Sequence, residues 1–490
     1  MQVIPPESGS AGADETRTQG PIWGNAQPRE WRSISIRVEA RSPIDHEDLA
    51  MEQRQAIAED VPCFSWYHPD DRFQCVASGE LLIWHDQEYP HEGGSVSGPT
   101  PRCFEEPMSP GQLTVFGHRK HLFTLLRTNL PEDALEYPWG YCAFPFSQQP
   151  SFDVEGIWRG WPGSVIRIPQ TLLVWDRHSD AGERIQLNVP GLKTCTTVPR
   201  GVSSPHVAEE KYRSESHETQ ALWAQRVLDA TSACGQQRLQ KVVLARSMER
   251  WSESGRPYDA AGTYQRLLSS YPSHANYALH MQRRTFLGSS PETLVKICDR
   301  RLDTHALAGT VPIDRQGQIQ GVIDPMTDPK LLIEHAIVVE DLVARLSPWV
   351  NNLEVSARPR IKYLRRMAHL ETPISGDCSP ELSVLDMVPK IHPTPALGGL
   401  PRETAQAWLA QNERLERGYY GGVLGWFDAR GDGHCAVAIR CGLISDQRAV
   451  AFAGAGIVVG SEPEPEWDET ELKMVPFFTH LVDLQETSSP

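Results

Sequence analysis

The chain has no apolar run long enough to cross a bilayer and no cysteine pair spaced as CxxC. A membrane-spanning helix needs about 18 or more consecutive apolar residues, and no segment of the 490-residue sequence approaches that length. The ten cysteines are scattered, and a chain of this size does not need a disulfide framework for stability. The first twenty residues lack the apolar stretch of a signal peptide. We therefore expect a protein of the reducing cytoplasm.

Positive charge is also scarce. Asp and Glu number 63 against 47 Lys and Arg, so the formal net charge is −16. Long-range repulsion from such a surface disfavours nucleic acid and anionic membranes as partners. A small anionic substrate remains compatible with the composition, provided that a metal ion or a few Arg and Lys residues concentrate positive charge locally.

The patterning divides the chain into four parts. Residues 1–32 are rich in Gly, Ser and Pro and predict a flexible tail. Residues 33–195 contain alternating stretches such as GELLIWH and PQTLLVWD, which predict strands. Residues 196–218 lack apolar periodicity and predict a surface connection. Residues 219–485 mix strands such as KVVLARSM with helices. The resulting class is α+β, with large antiparallel sheets and helices packed outside.

The segment AFAGAGIVVGSEPEPEWDETELK is the richest in chemically informative residues. Its glycines resemble a dinucleotide loop, but that loop requires a helix to begin at the glycines, whereas Pro463 and Pro465 follow here. An alternative is that Gly454 and Gly456 let the backbone approach a ligand carboxylate. A plain turn between two strands is the structural alternative.

Acidic residues on two predicted helices form a candidate cation site. Glu466, Glu469 and Lys473 share one face if EWDETELK is helical, although a solvated face with a Glu469–Lys473 pair is the simpler interpretation. Glu334 lies on a predicted helix that Asp328 caps. The helix face that carries Glu334 is otherwise apolar and must therefore pack inward. Carboxylate oxygens without Cys or His suit Mg²⁺ rather than zinc.

Two further residues are candidates for acid–base chemistry. Lys241 opens the strand KVVLARS, and Glu292 lies in a turn between two apolar runs in FLGSSPETLVKI. Each has a structural alternative as an exposed residue at a strand end. Spacing in the sequence does not bring the two together, so their pairing depends on the fold.

Taken together, nine segments between about residues 240 and 475 resemble the chorismate-utilising enzymes, and within them the isochorismate synthases. The segments are KVVLARS, FLGSSPETL, ALAGT, IEHAIVVEDL, HLETPISG, IHPTPALGGLPR, ERGYYGGVLGWFD, VAIRC and AGAGIVVGSEPEPEWDETELK. The resemblance implies the fold of anthranilate synthase component I, with two large antiparallel β-sheets packed together. It also implies one domain over 33–490, with 196–218 internal to it.

The resemblance assigns roles to the candidate residues. Lys241 matches the base that activates water, and Glu292 matches the general acid that protonates the leaving hydroxyl. Glu334 and Glu469 match ligands of Mg²⁺, and Glu466 belongs to the same carboxylate shell. The implied reaction adds water at ring carbon 2 of chorismate while the 4-hydroxyl leaves, which makes the enzyme an isomerase.

The resemblance also implies a set of residues that bind the substrate. Arg440, Tyr420, Lys473 and the backbone of Gly454, Ala455 and Gly456 match groups that hold the two substrate carboxylates. His369 and the turn formed by Gly309 and Thr310 match the wall beside the reacting ring. Arg440 and Lys473 would offset the net negative charge of the protein locally and create a region of positive potential that attracts a dianion.

Differences among relatives narrow the expected activity. Anthranilate synthases typically carry Gln where this chain has Lys241, and aminodeoxychorismate synthases often carry a nucleophilic lysine where this chain has Ala308. We therefore expect water as the nucleophile and no glutamine amidotransferase subunit. Salicylate synthases share the lysine, the glutamate and the metal ligands, so they remain the alternative activity. A non-catalytic chorismate-binding protein is disfavoured because all these groups occur together.

Three points stay open from sequence. The chain departs from the family pattern in GDGHC, where His434 and Cys435 replace the usual Glu and aromatic residue. The product's destination, whether menaquinone, a siderophore or salicylate, is undetermined. We expect a monomer or a homodimer.

Overall fold

A computed structural model describes residues 36–85, 119–147, 156–188 and 218–484, apart from 315, 317, 320–323 and 366. The predicted tail at 1–32 and nearly all of the predicted connection at 196–218 lie outside these residues. No helix among the described residues has both the length and the apolar character required to span a bilayer.

The strands of the described residues are β1 (Arg37–Ile44), β2 (Cys63–Tyr67), β3 (Phe73–Ser78), β4 (Leu82–His85), β5 (Gly140–Phe144), β6 (Val165–Ile168), β7 (Thr171–Asp176), β8 (Ala181–Asn188), β9 (Lys241–Trp251), β10 (Ala275–Met281), β11 (Arg284–Ser290), β12 (Thr293–Cys298), β13 (Arg301–Pro312), β14 (Val350–Val355), β15 (Arg360–Tyr363), β16 (Met367–Cys378), β17 (Gly399–Leu400), β18 (Val423–Phe427), β19 (Gly433–Val437), β20 (Cys441–Ser445) and β21 (Arg448–Ile457). The helices of the same residues are α1 (His46–Ala58), α2 (Arg119–Asn129), α3 (Gln220–Gly235), α4 (Ala260–Ser270), α5 (Pro329–Leu346), α6 (Val384–Ile391), α7 (Arg402–Asn412) and α8 (Pro463–Thr479).

The strands form two large antiparallel sheets, which confirms the predicted α+β class. Sheet A has the order β1-β8-β7-β3-β2-β10-β11-β20-β21-β9-β17. Sheet B has the order β14-β16-β13-β12-β19-β18-β5-β6-β4, and β15 pairs with β16 beside it. Strands from the N-terminal part of the chain therefore pair directly with strands from the C-terminal part in both sheets, as β2 does with β10 and β5 with β18.

The two sheets pack against each other through aromatic and aliphatic side chains. Phe64 of sheet A stacks on Tyr141 of sheet B with the ring centroids 4.7 Å apart. Trp66, Trp139 and Trp158 are fully buried in the same core. Burial of such large apolar side chains is the main favourable contribution to the folding of this body.

Two of the places where the chain passes from one sheet to the other are neighbours. The first is the turn between β11 of sheet A and β12 of sheet B, and the second is the segment between β19 of sheet B and β20 of sheet A. Because β11 pairs with β20 and β12 pairs with β19, the two crossings lie side by side. Residues in these crossings therefore meet although about 150 residues separate them in the sequence.

Local sequence signals explain the two helices that border the site. At α5, Asp328 caps the helix by accepting a hydrogen bond from the backbone N–H of Leu331, and Pro329 occupies the first turn. The prediction for this helix is confirmed. At α8, Pro463 starts the helix rather than breaking the chain, because the first helical positions need no N–H donor. Helices α1 and α2 were not predicted within the strand-rich half.

Candidate active site

A cleft between the two sheets gathers most of the predicted site residues. The predicted residues that line it are Lys241, Glu292, Gly309, Thr310, Glu334, His369, Tyr420, Arg440, Gly454, Gly456, Glu469 and Lys473. The remaining two, Glu466 and Ala455, are not part of its lining; the side chain of Ala455 belongs to the hydrophobic core on the other face of β21.

Lys241 is the first residue of β9 and is almost fully buried. Its Nζ donates to Oε1 of Glu334 on α5 at 2.8 Å. Gly456 on the adjacent strand β21 makes room for this pair, because a Cβ there would lie 2.4 Å from Oε1 of Glu334 and 2.8 Å from Cε of Lys241. Gly456 therefore leaves the space that the Lys241–Glu334 pair occupies. The sequence did not indicate this role.

Glu292 lies in the first crossing between the sheets. Its backbone N–H donates to Oγ of Ser290 at 3.2 Å, and its carbonyl accepts from the N–H of Val437 at 3.0 Å. Burial raises the pKa of the Glu292 carboxyl to about 7, although the cations of Arg440 and Lys241 oppose the shift. A carboxyl with this pKa is protonated in a substantial fraction of the molecules near neutrality and can act as a general acid.

Arg440 lies in the second crossing, beside Glu292. Its backbone has φ +52°, a left-handed conformation that costs a non-glycine residue on the order of 1–3 kcal/mol. Its Nη2 contacts Nε2 of His369 at 3.1 Å, and Nδ1 of His369 contacts Oγ1 of Thr310 at 3.2 Å. Burial and the Arg440 cation hold the pKa of His369 well below its usual range, so the imidazole is neutral. The conformation directs a buried guanidinium into the cleft.

Three glutamates near the cleft are each paired with a lysine. Beyond the Lys241–Glu334 pair, Lys473 lies 2.5 Å from Oε1 of Glu469 and also donates to the carbonyl of Gly454 at 2.8 Å. Glu469 and Lys473 therefore form the intrahelical pair of the simpler interpretation, and both also face the cleft. The third pair joins Lys330 to Glu466 at 2.8 Å. Lys330, one turn before Glu334 on α5, was missed in the sequence.

Glu466 and Glu469 differ in the direction of their pKa shifts. Burial and the negative charge of the nearby Glu469 together raise the pKa of Glu466 to about 7, although Lys330 opposes the shift. Burial also raises the pKa of Glu469, but Lys473, Thr310 and Lys330 together outweigh this effect and the net shift is downward. Clustered carboxylates that repel one another favour a hard divalent cation, and all donors here are oxygens. Glu334, Glu466 and Glu469 offer donors of the type that Mg²⁺ prefers, but each is paired with a lysine, and among the described residues their carboxylate oxygens do not all lie within 4.8 Å of one another.

A second buried polar cluster, the Asp71 cluster, lies outside the cleft lining and consists of His68, Asp71, Lys296 and His434. The carboxylate of Asp71 accepts from Nδ1 of His434 at 2.9 Å and from Nζ of Lys296 at 2.8 Å. The indole N–H groups of Trp66 and Trp426 donate to the same carboxylate. The neighbouring Cys435 contacts Cys142 across Gly425. The departure in GDGHC therefore concerns packing away from the cleft.

The fold and the cleft define an α+β protein with two sheets and an acid, an amine and an arginine around one small-molecule site. The family model described as "Chorismate binding enzyme" matches residues 127–482. This chain belongs to the chorismate-binding enzymes.

Curated relatives include isochorismate synthases. The salicylate biosynthesis isochorismate synthase of Pseudomonas aeruginosa is 38% identical over 260 residues, which cover 51% of this chain and 53% of that protein. An isochorismate synthase of Bacillus subtilis is 33% identical over 261 residues, which cover 53% of this chain and 55% of that protein. The chain thus spans about half the length of these two relatives.

Solved structures share the fold. The menaquinone-specific isochorismate synthase of Escherichia coli superposes with a TM-score of 0.66 at 21% identity, covering 91% of this chain and 95% of that one. Anthranilate synthase component I of Streptococcus pneumoniae superposes with a TM-score of 0.60 at 19% identity, covering 84% and 93%. These likenesses confirm the predicted fold.

Proposed function

We propose that this protein is an isochorismate synthase that converts chorismate to isochorismate with the help of Mg²⁺. The observation that carries the proposal is the meeting of Lys241 and Glu292 in one cleft that also contains Arg440 and two carboxylates, Glu334 and Glu469. Sequence relatives with this activity support it. A lysine rather than glutamine at position 241 favours water over ammonia as the nucleophile.

Lys241 and Glu292 divide the acid–base work. The amine of Lys241 takes a proton from water, whose oxygen forms a bond with ring carbon 2. The double bonds of the ring shift, and the bond between carbon 4 and its hydroxyl oxygen breaks as Glu292 donates a proton to that oxygen. Hydroxide is a poor leaving group, and general acid help of this kind contributes roughly 10² to 10⁴ in rate.

The cations of the cleft bind and orient the substrate dianion. Arg440 and Lys473 supply positive charge in a buried setting, where a carboxylate gains more from a cation than it does in water. Tyr420, His369, Thr310 and the glycine backbone complete the wall of the site. Holding the ring in one orientation converts the attack of water into an effectively unimolecular step.

Magnesium is part of the same proposal. Glu334 and Glu469, with Glu466 in the same shell, would hold the ion, and bound Mg²⁺ would neutralise and orient the ring carboxylate of the substrate. No glutamine amidotransferase subunit takes part, because water is the nucleophile.

The direct test incubates the purified protein with chorismate and Mg²⁺ and separates the products by chromatography. Isochorismate as the sole product supports the proposal, whereas salicylate with pyruvate assigns the chain to the salicylate synthases. Absence of turnover contradicts both activities. Lys241→Ala should abolish hydration while substrate still binds. Lys296→Ala is the matched control, because Lys296 pairs with Asp71 outside the cleft and should retain the wild-type product.

A further inference from the structure

The turn that carries Glu292 is fixed from several directions. Ser290 and Val437 hold the backbone of Glu292 itself. The preceding residue, Pro291, has no N–H, and its carbonyl accepts a hydrogen bond from Nζ of Lys362 at 3.0 Å. Lys362 lies on β15, the short strand beside β16, and therefore reaches the turn from a separate part of sheet B.

Lys362 is itself held in place by a buried carboxylate. Its Nζ donates to Oε1 of Glu371 at 2.8 Å, and the residue Glu371 is 4% exposed. Oε2 of Glu371 accepts from Nε of Arg360 at 2.6 Å, and Nδ1 of His305 lies 4.0 Å from Oε1. A lysine with two oxygen partners 2.8 and 3.0 Å away has a defined position, so its contact with Pro291 is specific rather than incidental.

We propose that Lys362 is a positioning residue for Glu292: its ammonium group clamps the carbonyl of Pro291 and so fixes the turn that presents the acid to the substrate. This inference rests on the proposed function, because it concerns the acid of that reaction. Lys362 does not line the cleft, so it acts through the turn and not through the substrate.

Electrostatics supports the same role. The cations that act on Glu292 come from four elements: Arg440 in the second crossing, Lys241 on β9, Lys362 on β15 and Lys473 on α8, and each lowers the pKa of its carboxyl. Arg440, Lys241 and Lys473 line the cleft, whereas Lys362 does not. Removing Lys362 therefore changes the field at Glu292 without removing a group from the substrate-binding surface.

The test compares Lys362→Met with Lys362→Arg and with Arg360→Gln. Arg360 binds the same Glu371 from the same strand but makes no contact with Pro291 in the described structure, which makes it a matched control. We expect Lys362→Met to lower kcat by on the order of 10-fold to 100-fold with KM nearly unchanged, because the acid is misplaced and the binding groups are intact.

The pH profile separates positioning from general destabilisation. Glu292 must be protonated, so activity falls as pH rises through its pKa. Loss of the Lys362 cation raises that pKa and should move the alkaline limb of kcat upward by at least about half a pH unit. Lys362→Arg should restore the wild-type limb, and Arg360→Gln should leave it in place.

A second measurement does not depend on turnover. The carboxyl band of Glu292 can be titrated by infrared difference spectroscopy, assigned by its loss in Glu292→Gln, and it should shift in the same direction in Lys362→Met. The inference is overturned if Lys362→Met moves neither the alkaline limb of the kcat profile nor the carboxyl band of Glu292. It is also overturned if Arg360→Gln shifts them equally. If Lys362→Met does not fold, Lys362→Gln takes its place. Failure of the wild-type protein to form isochorismate contradicts the proposed function instead.

Discussion

Two fully buried carboxyl groups in this protein have their pKa values shifted in opposite directions. Burial raises the pKa of both, but at Asp71 the charge and hydrogen bond of His434 and the charge of Lys296 outweigh burial and the net shift is downward. At Glu292 burial prevails over Arg440, Lys241, Lys362 and Lys473, and the pKa rises to about 7. Both are surrounded by cations, so cations alone do not explain the difference.

The difference lies in direct contact. The carboxylate of Asp71 accepts hydrogen bonds from His434 and two tryptophans and pairs with Lys296. The cations near Glu292 act on it at a distance, and among the described hydrogen bonds its carboxyl oxygens have no partner. A satisfied carboxylate stabilises the fold, whereas a buried carboxyl left without partners keeps a proton that it can transfer. The contrast separates a structural cluster from the proposed catalytic one.

The largest expected effect is on catalysis at the cleft. Glu292→Gln keeps the shape of the side chain but cannot donate a proton to the leaving hydroxyl, so kcat should fall by roughly 10² to 10⁴. Steady-state kinetics with chorismate measure this loss. A wild-type kcat in this variant would show that Glu292 is not the general acid, and the proposed functional difference between Glu292 and Asp71 would no longer hold.

Asp71→Asn should act on stability instead. The change leaves the charge of Lys296 without its buried partner, which typically costs about 3–5 kcal/mol. Urea unfolding at neutral pH measures the loss, and kcat per folded molecule should stay at the wild-type value. Because the pKa of Asp71 is lowered, the stabilisation that it provides is present at neutral pH and is lost as pH falls below the usual range of an aspartate. A loss of kcat with unchanged stability would contradict the structural role.

The contribution of Glu292 to the free energy of unfolding should depend on pH in the opposite sense to that of Asp71. Its pKa is raised from 4.5 to about 7, so the folded state loses stability as pH rises through this interval. Glu292→Gln removes the ionisation and should be more stable than the wild type at pH 8 by about 1–3 kcal/mol, at 1.36 kcal/mol per pKa unit. Thermal unfolding at pH 5 and pH 8 tests this, and an equal difference at both values would count against the raised pKa.

The smallest expected effect concerns the metal. Glu469→Gln removes one anionic oxygen from the proposed magnesium shell and should weaken Mg²⁺ binding by about tenfold, or roughly 1.4 kcal/mol. Calorimetric titration with MgCl₂ measures the affinity, and a chelator should abolish wild-type turnover. Asp468→Asn is a useful control, because Asp468 adjoins Glu469 on α8 but does not line the cleft. Equal affinities for all three proteins would exclude Glu469 as a ligand.

Sequence by itself determined the fold class and the helix that Asp328 caps, and it named the candidate residues of the site. Helix caps, alternation and residue types are local properties, and the ordered family segments from KVVLARS to EWDETELK can be read without coordinates. The roles assigned to those residues remain predictions. Local patterns did not reveal α1 and α2, which lie in the half of the chain that the sequence predicts to be strand-rich.

Only the tertiary structure decided which of these residues meet. Glu292 and Arg440 lie side by side because two strand pairs, β11 with β20 and β12 with β19, bring their crossings together. The space that Gly456 leaves for Lys241 and Glu334, the pairing of Lys330 with Glu466 and the reach of Lys362 to Pro291 depend on the same packing. Contacts between residues far apart in the chain are set by strand pairing and burial, which no local pattern encodes.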